Sequence, residues 1–414
     1  MSRAGLLVVL LLAVATAACY PTLPYKFGNR PDDPWETIAA LNVATDHAAL
    51  DGNRIVLLEN GDASFPAMLE AIHTATSSVH METFIFSNDE IGGQFVAALE
   101  ERARAGIQVR LLLDAVGSSD FGDDNKKRLE AAGAHVEFVK PVKLNKLRKV
   151  HLRTHRKVLI LDGKSAFTGG ICIDDAWQGN ADSPDRWRET MIRVDGPVVR
   201  QMQVAFARAW FETTGHLLSD RTLYPPIAAE GEQLCQLADV NPQGFNRTAR
   251  LLYLVALESA QRQIDITNSY FVPDSSLQRA LERAARRGVK VRLLLPGRHT
   301  DSGPVRHAGR RYYSDLLEAG IEIYEYQPAQ LHAKTFVVDK LWASVGSTNL
   351  DRRSLAWNSE SNLNIFDTGF AAEMEAMFER DLAKSRQLTL EEWKKRPFSE
   401  RWKEFFYGLG DWQY

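Results

Sequence analysis

The chain has 414 residues, 45% hydrophobic and 25% charged, an ordinary globular composition with room for two to three domains' worth of core. A formal net charge of −3 argues against a bulk nucleic-acid binder, whose domain would be strongly basic. The only cysteines are Cys19, Cys172 and Cys235, which make neither a disulfide framework nor a Cys/His metal cluster.

In chain order, residues 1–19 read as a targeting segment. Arg3 precedes an apolar run from Ala4 to Ala18, shorter than the roughly 20 residues that span a bilayer and suited to a signal-peptide core. The run ends Thr16-Ala17-Ala18-Cys19, which resembles a bacterial lipoprotein processing site with Thr16 where Leu is usual. This implies lipidation of Cys19, with an uncleaved anchor or plain cleavage as alternatives. The body is expected outside the cytoplasmic membrane. Residues 20–50 are Pro-rich and read as a tether.

A first domain is expected over 51–217. Phe65 to Thr76 reads as a helix, Val79 to Phe84 as a strand, and Ile91 to Ala105 as an amphipathic helix closed by Gly106. Val109 to Leu113 reads as a buried strand. A second domain, 248–390, repeats the pattern: a helix ending near Gln261, a strand Ile264 to Thr267, a helix Ser275 to Arg287, Gly288, and a strand Val291 to Leu295. Unbroken apolar strands alternating with helices predict an α/β protein. It should have two similar layered α/β/α halves with mixed, largely buried sheets and the active site between them. Residues 218–247 read as a Pro/Gly/Asn/Gln-rich linker. The tail, 391–414, is dense in aromatics and should pack on the body, with interfacial membrane contact as the alternative.

Each half carries the string H-x-K-x-x-x-x-D. His155, Lys157 and Asp162 recur as His332, Lys334 and Asp339 at one constant offset of 177 residues, and Gly169-Gly170 recurs as Gly346-Ser347. Residues two apart on a strand face one way, so each histidine shares a face with its lysine. Asp162-Gly163 is a turn signal, which assigns Asp162 and Asp339 to loop architecture. Of two imidazoles, one can attack a phosphorus while the other donates a proton to the leaving oxygen. Two lysines supply fixed positive charge for the phosphate oxygens. Glu189 and Glu360, at similar places in the two halves, are candidates to orient the histidines; Glu189 also reads as a surface carboxylate. The basic run from Lys140 to Lys157 reads as an anion-attracting rim. The segment holding Arg298, His299, Arg306, His307, Arg310 and Arg311 reads as a solvated loop, with lipid headgroup contact as the alternative.

The paired strings, with Gly346-Ser347-Thr348-Asn349, resemble the phospholipase D superfamily. Phe167 to Ile171, Trp187 to Thr190, Tyr270 to Asp274 and Gly346 to Ser354 are similar to bacterial cardiolipin synthases. The resemblance implies a phosphatidyltransferase that works without a metal or other cofactor. It implies His155 as nucleophile, His332 as acid and then base, and Gly170, Ser347 and Asn349 as supporting residues. Phosphatidylglycerol would be donor and acceptor, met at a membrane surface, and no nucleic acid is expected. Cys172 departs from the pattern, standing where Asn349 stands in the second half. The alternatives are a phospholipase D-type hydrolase, a nuclease, or a non-enzymatic lipid scaffold. The scaffold is disfavoured by two intact His/Lys pairs. The sequence carries no sign of oligomeric state.

Overall fold

The computed structural model describes residues 29–31, 33–139, 152–241 and 247–410. Its local logic is well shown by the helix Ser275–Arg286. Asp274 caps it by accepting from the backbone N–H groups of Ser276 and Leu277. Leu277, Ala280, Leu281 and Ala284, at helical spacing, are buried, and each leucine contributes roughly 1.5–3 kcal/mol of burial. Gly288, at φ +91°, then turns the chain into the next strand. Gly106, at φ +82°, ends the helix Glu90–Arg104 in the same way.

The first half contributes strands β1 (Leu50–Glu59), β2 (Ser78–Thr83), β3 (Gln108–Asp114), β4 (His135–Val139), β5 (Val158–Leu161), β6 (Ser165–Gly169) and β7 (Thr190–Asp195). The second contributes β8 (Gln233–Val240), β9 (Gln263–Thr267), β10 (Lys290–Pro296), β11 (Glu322–Tyr326), β12 (Thr335–Val338), β13 (Trp342–Gly346), β14 (Glu360–Phe366) and the edge strand β15 (Ser385–Leu388). The order within the first half is β4-β3-β2-β5-β6-β7-β1, and the second half repeats it as β11-β10-β9-β12-β13-β14-β8. β2 to β4 and β9 to β11 are parallel trios. β5 runs antiparallel to β2, and β12 to β9. The protein is therefore α/β with two repeated halves, and the two sheets fuse through antiparallel β1 and β8 into one mixed sheet, of 15 strands among the described residues.

Three sequence expectations change. Residues 218–247 are more than a linker, because β8 lies inside them and pairs with both β1 and β14. Its polar positions are tolerated because Gln236 bonds Asn42 and Asn364. The segment 20–50 holds the helix Pro34–Thr45, capped by Asp33, whose Leu41 enters the core of the second half. The second basic segment is no solvated loop beyond residue 302. Its helix, Gly303–Arg310, carries Arg306 and Arg310, both paired with Glu325.

That helix also seats the tail. Tyr407, on the helix Phe398–Gly408, stacks on His307 at 5.7 Å between ring centroids. Arg311 donates to the Gly408 carbonyl at 2.6 Å. The opposite side of the tail helix exposes Phe398, Trp402, Phe405 and Phe406. Among the described residues no helix is long and apolar enough to cross a membrane.

Two core clusters each belong to one half, and a third is shared. The shared cluster joins Val158, Ile192 and Phe206 to Val337, Val345 and Met374. It fixes the halves against each other and thereby fixes the site between them.

Candidate active site

The two motif strands start in the same way. β5 and β12 are short, fully buried and each preceded by the same spacing of His and Lys. Just ahead of each, the chain bridges to the opposite half in parallel. Thr154 pairs with Ser359, and Leu331 with Arg188. The His155 N–H donates to the Ser359 carbonyl, and the His332 N–H to the Arg188 carbonyl, both at 2.8 Å. These bridges bring each histidine beside the residue that follows its partner in the other half, Glu360 or Glu189.

The orienting carboxylates are therefore exchanged between halves. His155 Nδ1 lies 2.8 Å from Glu360 Oε2, and His332 Nδ1 lies 2.5 Å from Glu189 Oε2. All four side chains are buried, so Glu189 is no surface carboxylate. With Nδ1 donating to a carboxylate, Nε2 is left as the ring nitrogen that can attack or exchange a proton. The lysines sit behind: Lys157 Nζ donates to the His155 carbonyl at 2.7 Å. Lys334 Nζ donates to the His332 carbonyl and lies 3.9 Å from Glu189. The same ammonium is 2.9 Å from His332 Nδ1; that nitrogen's hydrogen already faces Glu189, so this is a contact and not a second hydrogen bond.

Burial sets the protonation states. It lowers the His155 pKa against the opposing pull of Glu360. Burial, then the Lys334 charge, lowers His332 to about 4. Lys157 is lowered by burial and Lys334 is lowered to about 8. Burial pushes Glu189 and Glu360 upward, but the neighbouring histidines and lysines overcome it and both stay below the ordinary carboxylate range. At neutral pH His332 is a neutral imidazole and Lys334 an ammonium, and a phosphodiester anion brought beside His332 favours its uptake of a proton.

The halves differ around this frame. On Glu360, Ser347 and Ser354 each donate a hydroxyl at 2.6 Å. The repeat places Gly170 opposite Ser347 and Trp177 opposite Ser354, so Glu189 has neither hydroxyl. A Cβ on Gly170 would stand 2.2 Å from Glu189 Oε2, which is why glycine is needed there. His332 lies in an aromatic cage, with ring centroids of Trp177 at 5.3 Å, Trp187 at 5.2 Å and Tyr270 at 6.4 Å. His155 has Phe84 at 5.2 Å.

Asp162 and Asp339 stand away from the reaction centre, in the left-handed backbone region at φ +55° and +53°. Asp162 accepts the N–H groups of Thr76, Ser77 and Ser78, and Asp339 those of Gln261, Arg262 and Gln263. They clamp the start of β2 and β9. Cys172 is buried beside Lys157, and burial raises its pKa so that it stays a thiol. Asn349 is buried with its Oδ1 unpartnered.

Of the basic run, two arginines in the described residues are paired and do not form a rim. Arg153 lies 3.5 Å from Asp114, and Arg156 lies 2.5 Å from Asp239; both are buried. Lys140 to His151, and Cys19, lie outside the described residues. Among the described residues no group of three or more His, Cys, Asp or Glu is arranged to hold a metal ion. Sequence reasoning missed Trp177 and gave no role to Ser354 and Tyr270, which it named only within the resembling stretches. Aligning the two halves beyond the motif would have paired Ser354 with Trp177 and flagged the asymmetry.

The family description "Cardiolipin synthase, PLD-like domain" matches residues 68–210 and 253–382. A cardiolipin synthase of Geobacillus kaustophilus (strain HTA426) is 36% identical over 358 residues, covering 86% of this chain and 71% of its own length. Cardiolipin synthase A of Pseudomonas aeruginosa is 36% identical over 383 residues, 92% of this chain and 77% of that protein. The crystal structure of a phosphatidylserine synthase from Haemophilus influenzae Rd KW20 superposes with TM-score 0.70 at 13% identity, covering 92% of this chain and all of that one. A polyphosphate kinase from Porphyromonas gingivalis gives 0.56 at 14% identity, over 87% and 53% of the two chains. Both likenesses concern the fold.

Proposed function

The chain belongs to the cardiolipin synthase, PLD-like domain family and is a phospholipase D-superfamily enzyme of phosphatidyl transfer, and from that premise we propose that it joins two phosphatidylglycerol molecules through a phosphohistidine. His155 Nε2 attacks the donor phosphorus. The N–P bond forms as the bond to the glyceryl oxygen breaks, and His332 gives that oxygen its proton. The second phosphatidylglycerol then loses a hydroxyl proton to His332, its oxygen bonds phosphorus, and the P–N bond breaks. Glycerol and cardiolipin are the products. Lys157 and Lys334 offset the charge on the phosphoryl oxygens throughout.

The observation that carries this reading is the exchanged pair of His–Glu dyads, one with two hydroxyls on its carboxylate and one with none. Glu360 shares its charge with two hydroxyls, and His155, its pKa lowered by burial, suits a neutral nucleophile. Glu189 accepts from His332 and from the Thr190 N–H at 2.8 Å, lies near Lys334 and has no hydroxyl on it, which suits a partner for a group that takes a proton once the phosphate arrives. Rapid acid quench of purified full-length enzyme turning over phosphate-labelled phosphatidylglycerol in vesicles tests it. Label on the peptide containing His155 supports the assignment, and label on the His332 peptide reverses it. Turnover with no trapped label counts against covalent catalysis. Phosphatidic acid as the main product would make the enzyme a hydrolase.

The same reading places the enzyme at the outer face of the cytoplasmic membrane, held by a lipid on Cys19. The apolar run before Ala18-Cys19 supports this, as does the exposed row Phe398, Trp402, Phe405 and Phe406, since aromatic rings suit the headgroup zone. Mass spectrometry of the mature amino terminus tests the anchor: an intact Met1 in a soluble fraction would contradict it.

A further inference from the structure

The internal repeat serves as its own control for what is special near His332. The β2–β5 and β9–β12 pairings place Ser269 where the first half has Phe84, the ring against His155. The motif offset places Gln330 where the first half has Arg153. Arg153 is neutralised by Asp114. Pro296, the last residue of β10, takes the place of that aspartate in the second half, so Gln330 has no such partner. Its amide Nε2 instead donates to Asp301 Oδ1 at 3.1 Å, and the Tyr270 hydroxyl also donates to Asp301. Asp301 is exposed and Gln330 is buried.

Two polar atoms are left over. Gln330 Oε1 and Ser269 Oγ are buried without a hydrogen-bond partner, and their residues are 2% and 4% exposed. The bond from Nε2 to a carboxylate fixes the amide orientation, so the carbonyl oxygen is an acceptor awaiting a donor. A buried polar atom without a partner is unfavourable, and a ligand hydroxyl would satisfy it. Tyr270 ties this group to the reaction, because its ring is one wall of the His332 cage.

We propose that Ser269, Tyr270, Asp301 and Gln330 form a polyol subsite beside His332 that holds the glyceryl hydroxyls of the leaving and then the entering alcohol. It rests on the transfer reading above and deepens it. In a two-step displacement both alcohols lie opposite the nucleophile, on the side of the acid and base. In phosphatidylglycerol both are glyceryl groups, so one subsite serves both steps. Asp301 and Gln330 Oε1 accept from the hydroxyls not bound to phosphorus, and Ser269 Oγ offers a donor or acceptor. A simple alcohol fills none of these places, and water fills them without being positioned for attack.

The test is product partition from one intermediate. Purified full-length enzyme is given phosphatidylglycerol vesicles with 1-propanol added, and cardiolipin and phosphatidylpropanol are measured together. Both come from the same phosphoenzyme, so their ratio is independent of the first step. Gln330→Met keeps the shape without the amide, and Asp301→Ala changes an exposed residue with little risk to the fold. In each, the ratio of cardiolipin to phosphatidylpropanol should fall about 10-fold, the loss expected where a site built for a hydroxyl is stripped of its partner. A ratio within twofold of the unmodified enzyme in both variants overturns the subsite, whatever the total rate. An unmodified enzyme that makes neither product overturns the transfer reading itself and this subsite with it.

Discussion

Replacing Glu360 with glutamine should weaken His155 across the boundary between the halves. The carboxylate lies 2.8 Å from Nδ1 and both groups are buried. At an effective dielectric of about 20, a full ion pair at that distance is worth about 6 kcal/mol. The amide keeps the shape and a dipole, so roughly half of this is lost as imidazole becomes cationic phosphohistidine. About 3 kcal/mol corresponds to a rate loss on the order of 10²-fold. The pH dependence has a definite sign. Glu360 opposes the burial that lowers the His155 pKa, so removing the anion lowers that pKa further. The acid limb of kcat/KM, measured on phosphatidylglycerol vesicles, should therefore move to lower pH while the plateau falls. NMR titration of the histidines isolates the cause: the His155 midpoint should drop in Glu360→Gln and stay in Glu189→Gln, which should instead move His332. A His155 midpoint that responds to Glu189 and ignores Glu360 would refute the exchanged pairing, as would a rate loss under threefold.

Gly170→Ala should lower kcat about 10²-fold with the fold retained, because its Cβ must push Glu189 off His332; normal kinetics would show that Glu189 is not an orienter. Asp162→Asn and Asp339→Asn should each lower stability by about 1.5–3 kcal/mol, seen as a lower melting temperature, with the shape of the pH–rate profile kept. The protein should also be acid-labile. His80, lowered to about 3 by burial and then by Arg110, and His332, lowered to about 4, stay neutral when folded, whereas the unfolded chain protonates near 6.5. The unfolded state then binds more protons between those values. Stability is full above about pH 6.5 and falls as pH drops toward 4, by up to about 1.4 kcal/mol per pH unit for each histidine. A melting temperature flat from pH 7 to 5 would contradict this. A chelator should leave turnover on vesicles unchanged, and loss restored by one divalent ion would contradict the metal-free chemistry.

The duplicated motif, its strands and its turns were legible in the sequence because each depends on residues a few positions apart. The two-residue period set His155 beside Lys157, the Asp162-Gly163 pair announced a turn, and Gly106 and Gly288 marked helix ends that need positive φ. The repeat then implied two halves and a shared site. Tertiary structure decided what long-range pairing controls. Residues 20–50 and 218–247 looked irregular, yet they hold a packed helix and the strand that fuses the sheets, because the helix face of Leu41 and both edges of β8 find partners far away in the chain. At the described end of the basic run, Asp114 and Asp239 reach Arg153 and Arg156 from distant strands and neutralise them. No spacing in the chain could say that Glu360 serves His155 and Glu189 serves His332. That exchange follows from two parallel bridges between halves, formed only when the shared core of Val158, Phe206, Val337 and Met374 closes.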